Sequence, residues 1–369
     1  MNYTMCNSVR IPYEAGVFRE NCLNKLEKEI MQKYPIIDAD AHVVEAVAGM
    51  RNFLKPEYRA RPIWTNHSWD MDFGGTLGKH NDKPEVQLAD MDADSIDMQV
   101  IFPSRGLSLN FEKQTQLAVN VASAYNDWLA DFCSVNPRRL KGVALVALQD
   151  VDAAIKEARR AVEELGHVAI MMPTNVKDQD IGRREFWPFY EEVERLGVAL
   201  ALHGGTRMAE RMHGRFETFI SVHTVAFPFE CMTALTGLMF AGVPEVFPQL
   251  RFAALEAGCG WVPYLVDRMD EEFEKRGSRE ASLLKLKPSE YFHRRQFYVT
   301  FELEERMLPY VIERLGADKI LFSSDYPHWD TEWPNAVKTF LSRKDVSDAD
   351  KHLILCDNPQ RFYGFPADL

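Results

Sequence analysis

Short apolar runs recur along the chain, and the stretches between them carry apolar positions at helical spacing. Eight runs read as strands: residues 36–42, 98–103, 142–148, 168–172, 198–203, 251–256, 297–302 and 320–325. Most are rich in Val, Ile, Leu or Phe and lack strict alternation, as parallel strands covered on both faces do. Helical patterns occupy 114–132, 152–165, 185–196, 229–240, 261–275, 304–315 and 335–341. Asp152 is placed to cap the second of these, and Gly197 and Gly316 are placed to stop the third and sixth. Strand and helix alternating in this way predict an α/β fold, a (β/α)8 TIM barrel spanning residues 35–369. A doubly wound open sheet is the rival arrangement. No G-x-G-x-x-G follows the first strand, which removes its usual dinucleotide-binding form.

Two stretches fall outside the repeat. Residues 1–34 are polar and mixed, and read as an N-terminal arm with a helix over 20–33. Residues 46–84 are long, poorly periodic and rich in Trp, Pro, Gly and Asn, including Trp64, His67, Trp69 and His80. A loop of that length is usually functional or disordered, and its aromatic content argues against disorder. Because it follows the first strand, it is expected to cover the catalytic face as a flap, with packing on a second subunit as the alternative.

Composition changes this picture little. The 369 residues are 46% hydrophobic and 27% charged, ordinary values for a globular protein. A net charge of -12 argues against a nucleic-acid partner, which requires clustered Lys and Arg. None of the six cysteines (Cys6, Cys22, Cys133, Cys231, Cys259, Cys356) falls in a C-x-x-C pair, so reduced thiols in a cytoplasmic protein are expected. The first residues lack the basic-then-apolar pattern of a signal peptide, and no run of about 18 apolar residues predicts a membrane span.

The chemistry lies where strands end. The first run continues into Asp38-Ala39-Asp40-Ala41-His42, the fifth ends in His203, and the eighth runs into Ser324-Asp325-Tyr326-Pro327-His328. Strand alternation predicts that Asp38, Asp40 and His42 share one face, with His42 nearest the C-terminal rim. A carboxylate inside a barrel requires a partner, and a divalent cation held by Asp40, His42, His203 and Asp325 supplies one. Two nitrogen and two oxygen ligands suit Zn²⁺ first, with Mn²⁺ or Fe²⁺ as alternatives.

These residues resemble the amidohydrolase superfamily, in the amidohydrolase-related branch that holds aminocarboxymuconate-semialdehyde decarboxylase and resorcylate-type decarboxylases. The resemblance spans roughly residues 35–365. It includes Met91-Asp92-Ala93-Asp94 before the second strand, Leu238 to Val243, and the closing Asp357-Asn358-Pro359. It implies that Asp40 and His42 match the first-strand ligand pair, His203 the fifth-strand ligand and Asp325 the eighth-strand aspartate. The chain departs where relatives carry a histidine after the sixth strand, because Glu256 stands there. Glu256 is therefore expected to act as a protonated acid or a further ligand. His223 is a candidate for substrate contact or leaving-group protonation. Arg105, Arg207 and His328 are candidates for substrate binding, and His167, His293 and His352 are read as structural. The expected reaction is metal-dependent, non-oxidative decarboxylation of a small carboxylated aromatic or unsaturated compound. Hydrolysis of a C–N, C–O or C–C bond by metal-activated water is the alternative, and a non-catalytic scaffold the minor one. The resemblance also implies a homodimer.

Overall fold

The strand signals close into a ring. A computed structural model describes residues 34–45, 47–63, 83–204, 216–294 and 296–366. The barrel strands are β1 (Ile37–Val43), β2 (Met98–Pro103), β3 (Leu140–Ala144), β4 (Ala169–Pro173), β5 (Ala199–His203), β6 (Phe252–Leu255), β7 (Phe297–Thr300) and β8 (Ile320–Leu321). All seven ladders between sequence neighbours are parallel. Backbone bonds close the seam between first and last strands: Ala39 N–H to the Phe322 carbonyl (2.9 Å), Asp325 N–H to Asp40 (3.1 Å) and His42 N–H to Tyr326 (2.6 Å). This is the expected (β/α)8 TIM barrel.

The helices pack outside: α1 (Pro84–Asp94), α2 (Thr115–Ser134), α3 (Val151–Glu163), α4 (Trp187–Leu196), α5 (Phe219–Phe240), α6 (Val262–Glu280), α7 (Leu308–Leu315), α8 (Ala336–Ser342) and α9 (Asn358–Tyr363). Pro occupies the first turn of α1, α4, α6, α7 and α9, where its missing N–H costs nothing. Gly197 ends α4 in the left-handed region, φ 70°. The cap of α3 is Asp150, not Asp152: its side chain accepts from Ala153 N–H at 3.0 Å, while Asp152 sits inside the first turn. α1 carried no periodic signal.

β3 ends four residues before the expected boundary. The side chain of Asn126 on α2 takes over the ladder's role, accepting from Leu145 N–H (2.8 Å) and donating to the Leu145 carbonyl (2.9 Å). The segment through Leu148 stays buried without pairing as strand. Helix α5 is long and apolar enough to cross a membrane by hydropathy alone. It nonetheless buries Ala226, Cys231, Ala234, Leu235 and Leu238 in the barrel wall. The N-terminal arm, apart from Tyr34, and residues 64–82 of the expected flap lie outside the described residues. Residues 47–63 include a turn of helix at Val47–Met50 and a 3-10 turn at Pro56–Tyr58.

Candidate metal centre and active site

Strand β1 delivers the first ligands with a twist that the sequence did not reveal. Its pairing with β2 slips between Asp38 and Ala41, so one extra residue is accommodated there. Such a bulge breaks alternation, and Asp38 does not share a face with Asp40 and His42 as expected. Asp38 instead accepts from Ser324 N–H (3.0 Å), Ser324 Oγ–H (2.5 Å) and Gln99 Nε2–H (3.1 Å). Gln99 in turn accepts from Gln87 on α1 at 2.9 Å. With its oxygens committed to these donors, Asp38 pins β1 to the segment that carries Asp325.

Asp40, His42 and His203 are fully buried and converge. The Nε2 atoms of His42 and His203 lie 3.2 Å apart. Asp40 Oδ1 is 3.6 Å from the former and 3.7 Å from the latter. Glu256 Oε2 is 3.2 Å from His203 Nε2, and Asp325 Oδ1 is 3.4 Å from His42 Nε2. The tautomers follow from the other ring nitrogen. His42 Nδ1 faces the Pro103 carbonyl at 3.0 Å, and His203 Nδ1 faces the Gly204 carbonyl at 2.7 Å. A carbonyl only accepts, so each Nδ1 carries the proton. Burial pushes both rings below the usual histidine range, His203 to about 3, so they are neutral. Two Nε2 lone pairs therefore point at each other and at carboxylate oxygens.

That assembly is repulsive unless a cation sits among the groups. Both oxygens of Asp40 and Oε2 of Glu256 are buried without a hydrogen-bond partner, a costly state for a carboxylate. Burial first, then neighbouring carboxylates, pushes Asp40 and Glu256 well above the usual range. A divalent ion reverses that pressure and favours the ionised forms. The Nε2 separation also fits a shared ion, since bonds of about 2.0–2.1 Å place adjacent ligands roughly 3.0–3.4 Å apart. The residues thus fit a divalent metal. Glu256 enters the cluster beside the four expected ligands.

Asp325 and Glu256 leave their strands with φ of 52° and 50°, in the left-handed region. Non-glycine residues held there cluster at functional sites, and here the turn aims each carboxylate at the imidazoles. His328 lies against Asp325, with Nδ1 2.7 Å from Oδ1 and Nε2 3.0 Å from Ser104 Oγ. Its ring packs against that of His42 at a tilt of 33°, with the centroids 4.1 Å apart. His223 lies inside α5, not before it, because the helix starts at Phe219. Its ring contacts Phe219, Phe227 and Trp329, and its Nε2 is 3.9 Å from Asp330. Arg105 opens the turn after β2, where its N–H donates to Glu45 at 2.8 Å. Arg207 lies outside the described residues.

A cavity of about 190 Å³ opens beside the cluster, lined by Glu256, Thr300, Glu302, Ser323, Asp325 and Asp330 among others. Glu302, Asp330, Ser104 and Glu45 were not singled out in the sequence. Glu302 had a signal, since it follows β7 as Asp325 follows β8. The other three are recognisable only once the loops are folded.

Comparison with known proteins decides the family. Residues 37–365 match the family model described as Amidohydrolase. The chain belongs to the amidohydrolase family. This amidohydrolase is 26% identical over 282 residues to a 2-amino-3-carboxymuconate-6-semialdehyde decarboxylase of Dictyostelium discoideum, covering 76% of each chain. It is 28% identical over 287 residues to a gamma-resorcylate decarboxylase of Rhodococcus jostii, covering 73% of this chain and 84% of that one. Among solved structures, a dihydroxybenzoic acid decarboxylase of Polaromonas with bound manganese and the inhibitor 2-nitroresorcinol superposes with a TM-score of 0.70. The match covers 91% of this chain and 99% of that chain at 22% identity, so the shared fold is what it establishes.

Proposed function

We propose that this amidohydrolase is a metal-dependent, non-oxidative decarboxylase of a small carboxylated aromatic or unsaturated compound. The observation that carries the reading is the buried set of two neutral imidazoles and three carboxylates at the C-terminal mouth, with orphaned oxygens on Asp40 and Glu256. The decarboxylase relatives supply the reaction class.

Asp40, His42, His203 and Asp325 would hold one divalent ion, with Glu256 as a further ligand or an acid. When bound, the ion supplies Lewis-acid stabilisation of the substrate carboxylate and of developing negative charge. Manganese in the Polaromonas structure supports Mn²⁺ beside the Zn²⁺ expected from the ligand types. Asp325 is the proposed proton carrier: the bond from substrate carbon to carboxyl breaks, its electron pair stays on carbon, and that carbon takes the proton as CO₂ leaves. Glu256 is the alternative donor. His328 Nδ1–H, donating to Asp325 Oδ1 at 2.7 Å, would hold that carboxyl in place. The rings of His223 and Trp329 form a wall for a planar substrate, while Arg105 and Arg207 are proposed to bind its carboxylate. Exposed Ile220 and Phe229 on α5 support a homodimer, and a cytoplasmic location completes the reading.

The test is CO₂ release by the metal-loaded enzyme from a panel of hydroxylated benzoates and carboxymuconate-type acids. Release from at least one supports lyase chemistry. Cleavage of esters, lactones or amides with no CO₂ from any carboxylated compound would replace it with hydrolysis.

A further inference from the structure

The far end of the barrel holds another group of ligand-type side chains. The π-helical turn Leu353–Asp357 lies between a short helix at Asp348–His352 and α9. The ring of Tyr34, which precedes β1, stacks on His352 at 4.1 Å. The carboxylate of Asp97, which precedes β2, is close enough to act on the Cys356 thiol. Both neighbours place the turn at the N-terminal face, away from the mouth that holds Asp40 and Asp325.

A π turn closes i→i+5, so the residues four and five positions ahead both sit over residue i. Here those residues are Cys356 and Asp357, over His352. Ligand atoms of the three lie within 4.8 Å of one another. His352 Nε2 is 3.4 Å from Asp357 Oδ1. That separation is what a tetrahedral zinc ion imposes on nitrogen and oxygen ligands at about 2.0–2.2 Å, namely roughly 3.4 Å. Cys356 is 3% exposed and forms no disulfide, whereas His352 and Asp357 are open enough for an ion to enter.

We propose that His352, Cys356 and Asp357 form a second metal site, selective for a thiophilic divalent ion of the Zn²⁺ class, with water in the fourth position. Thiolate ligation separates it chemically from the oxygen-rich mouth, because sulfur favours Zn²⁺ and related ions over Mn²⁺. On binding, the Cys356 S–H bond breaks, the proton passes to solvent and the sulfur lone pair forms the metal bond. Because binding displaces the thiol proton, it strengthens as pH rises.

The experiment is a Co²⁺ titration of the metal-stripped full-length protein, followed by the thiolate-to-cobalt absorption band. The catalytic mouth has no cysteine in its ligand set, so a band lost in Cys356→Ser belongs to this site. The expected result is a saturating band in the wild type, its loss in Cys356→Ser, and affinity lowered at least about tenfold in His352→Asn. No band in the wild type, or a band that survives Cys356→Ser, overturns the proposal. The His352 side chain is only half-buried, so His352→Asn keeps the fold and the question open should Cys356→Ser fail to fold. An unchanged titration in His352→Asn also overturns it.

Discussion

His203 is the residue whose chemistry is most constrained. Its Nδ1–H is committed to Gly204, its ring is neutral, and its Nε2 faces His42, Asp40 and Glu256. Replacing it with Ala should abolish stoichiometric metal and turnover while circular dichroism stays native, with metal content read by elemental analysis. Asp325→Asn should retain part of the metal but lose about 10²–10⁴-fold in kcat, the usual worth of a positioned acid. Near-full activity in that variant would remove Asp325 from proton transfer. These side chains were legible because β1 and β5 contain their histidines, while Asp325 follows β8 by four residues. Asp38 was misread because a bulge leaves no mark in an Ile-Asp-Ala-Asp-Ala-His sequence. Ser104 and Glu45 were not legible because their partners are set by loop packing, 224 and 60 positions away.

At the scale of elements, β3 is held by one tight contact. A methyl group added at Gly142 would lie 2.4 Å from His167 Nδ1 and 3.0 Å from Leu129. Gly142→Ala should therefore cost about 1–3 kcal/mol in denaturant unfolding, since overpacking a filled core displaces its neighbours. His167 itself is buried, donates from Nε2 to the Asn126 carbonyl at 3.1 Å, and is lowered by burial to about 4. The unfolded ring titrates near 6.5, so between these values the unfolded chain binds the extra proton. Stability from this group falls as pH drops through that window, by roughly 3 kcal/mol at full extent. In His167→Gln, which keeps the donor, unfolding midpoints between pH 7 and 4 should fall less steeply. The sequence located most strands within two residues, yet missed how Asn126 ends β3, because a side chain standing in for a ladder leaves no periodic trace. It also missed α1, whose buried residues include Gln87, Asp90 and Asp94: a helix that buries polar side chains shows no apolar stripe.

At the scale of the whole molecule, the mouth concentrates Asp40, Glu256 and Asp325 with Glu302 and Asp330 at its rim. Removing the proposed ion leaves those carboxylates repelling one another. Chelator treatment should lower the melting temperature, and Mn²⁺ or Zn²⁺ should restore it by the linkage term, about 2.7 kcal/mol at a hundredfold excess over Kd. An unchanged melting curve on complete removal would show that the ion contributes nothing to the fold. The barrel as a class was the most legible feature, since eight apolar runs separated by helical periods admit few arrangements. Its closure was not, because it rests on backbone bonds between segments almost three hundred residues apart.

That seam sets a timetable for biosynthesis. The Asp325 N–H bonds to the Asp40 carbonyl, and the two side chains flank the same imidazole. A nascent polypeptide emerging from the ribosome would therefore lack part of the proposed coordination sphere until nearly all of it has been translated. With the proposed ligand set, loading with the ion would be a late, post-translational event, and any product truncated before β8 would be born inactive however well its first seven strands have folded.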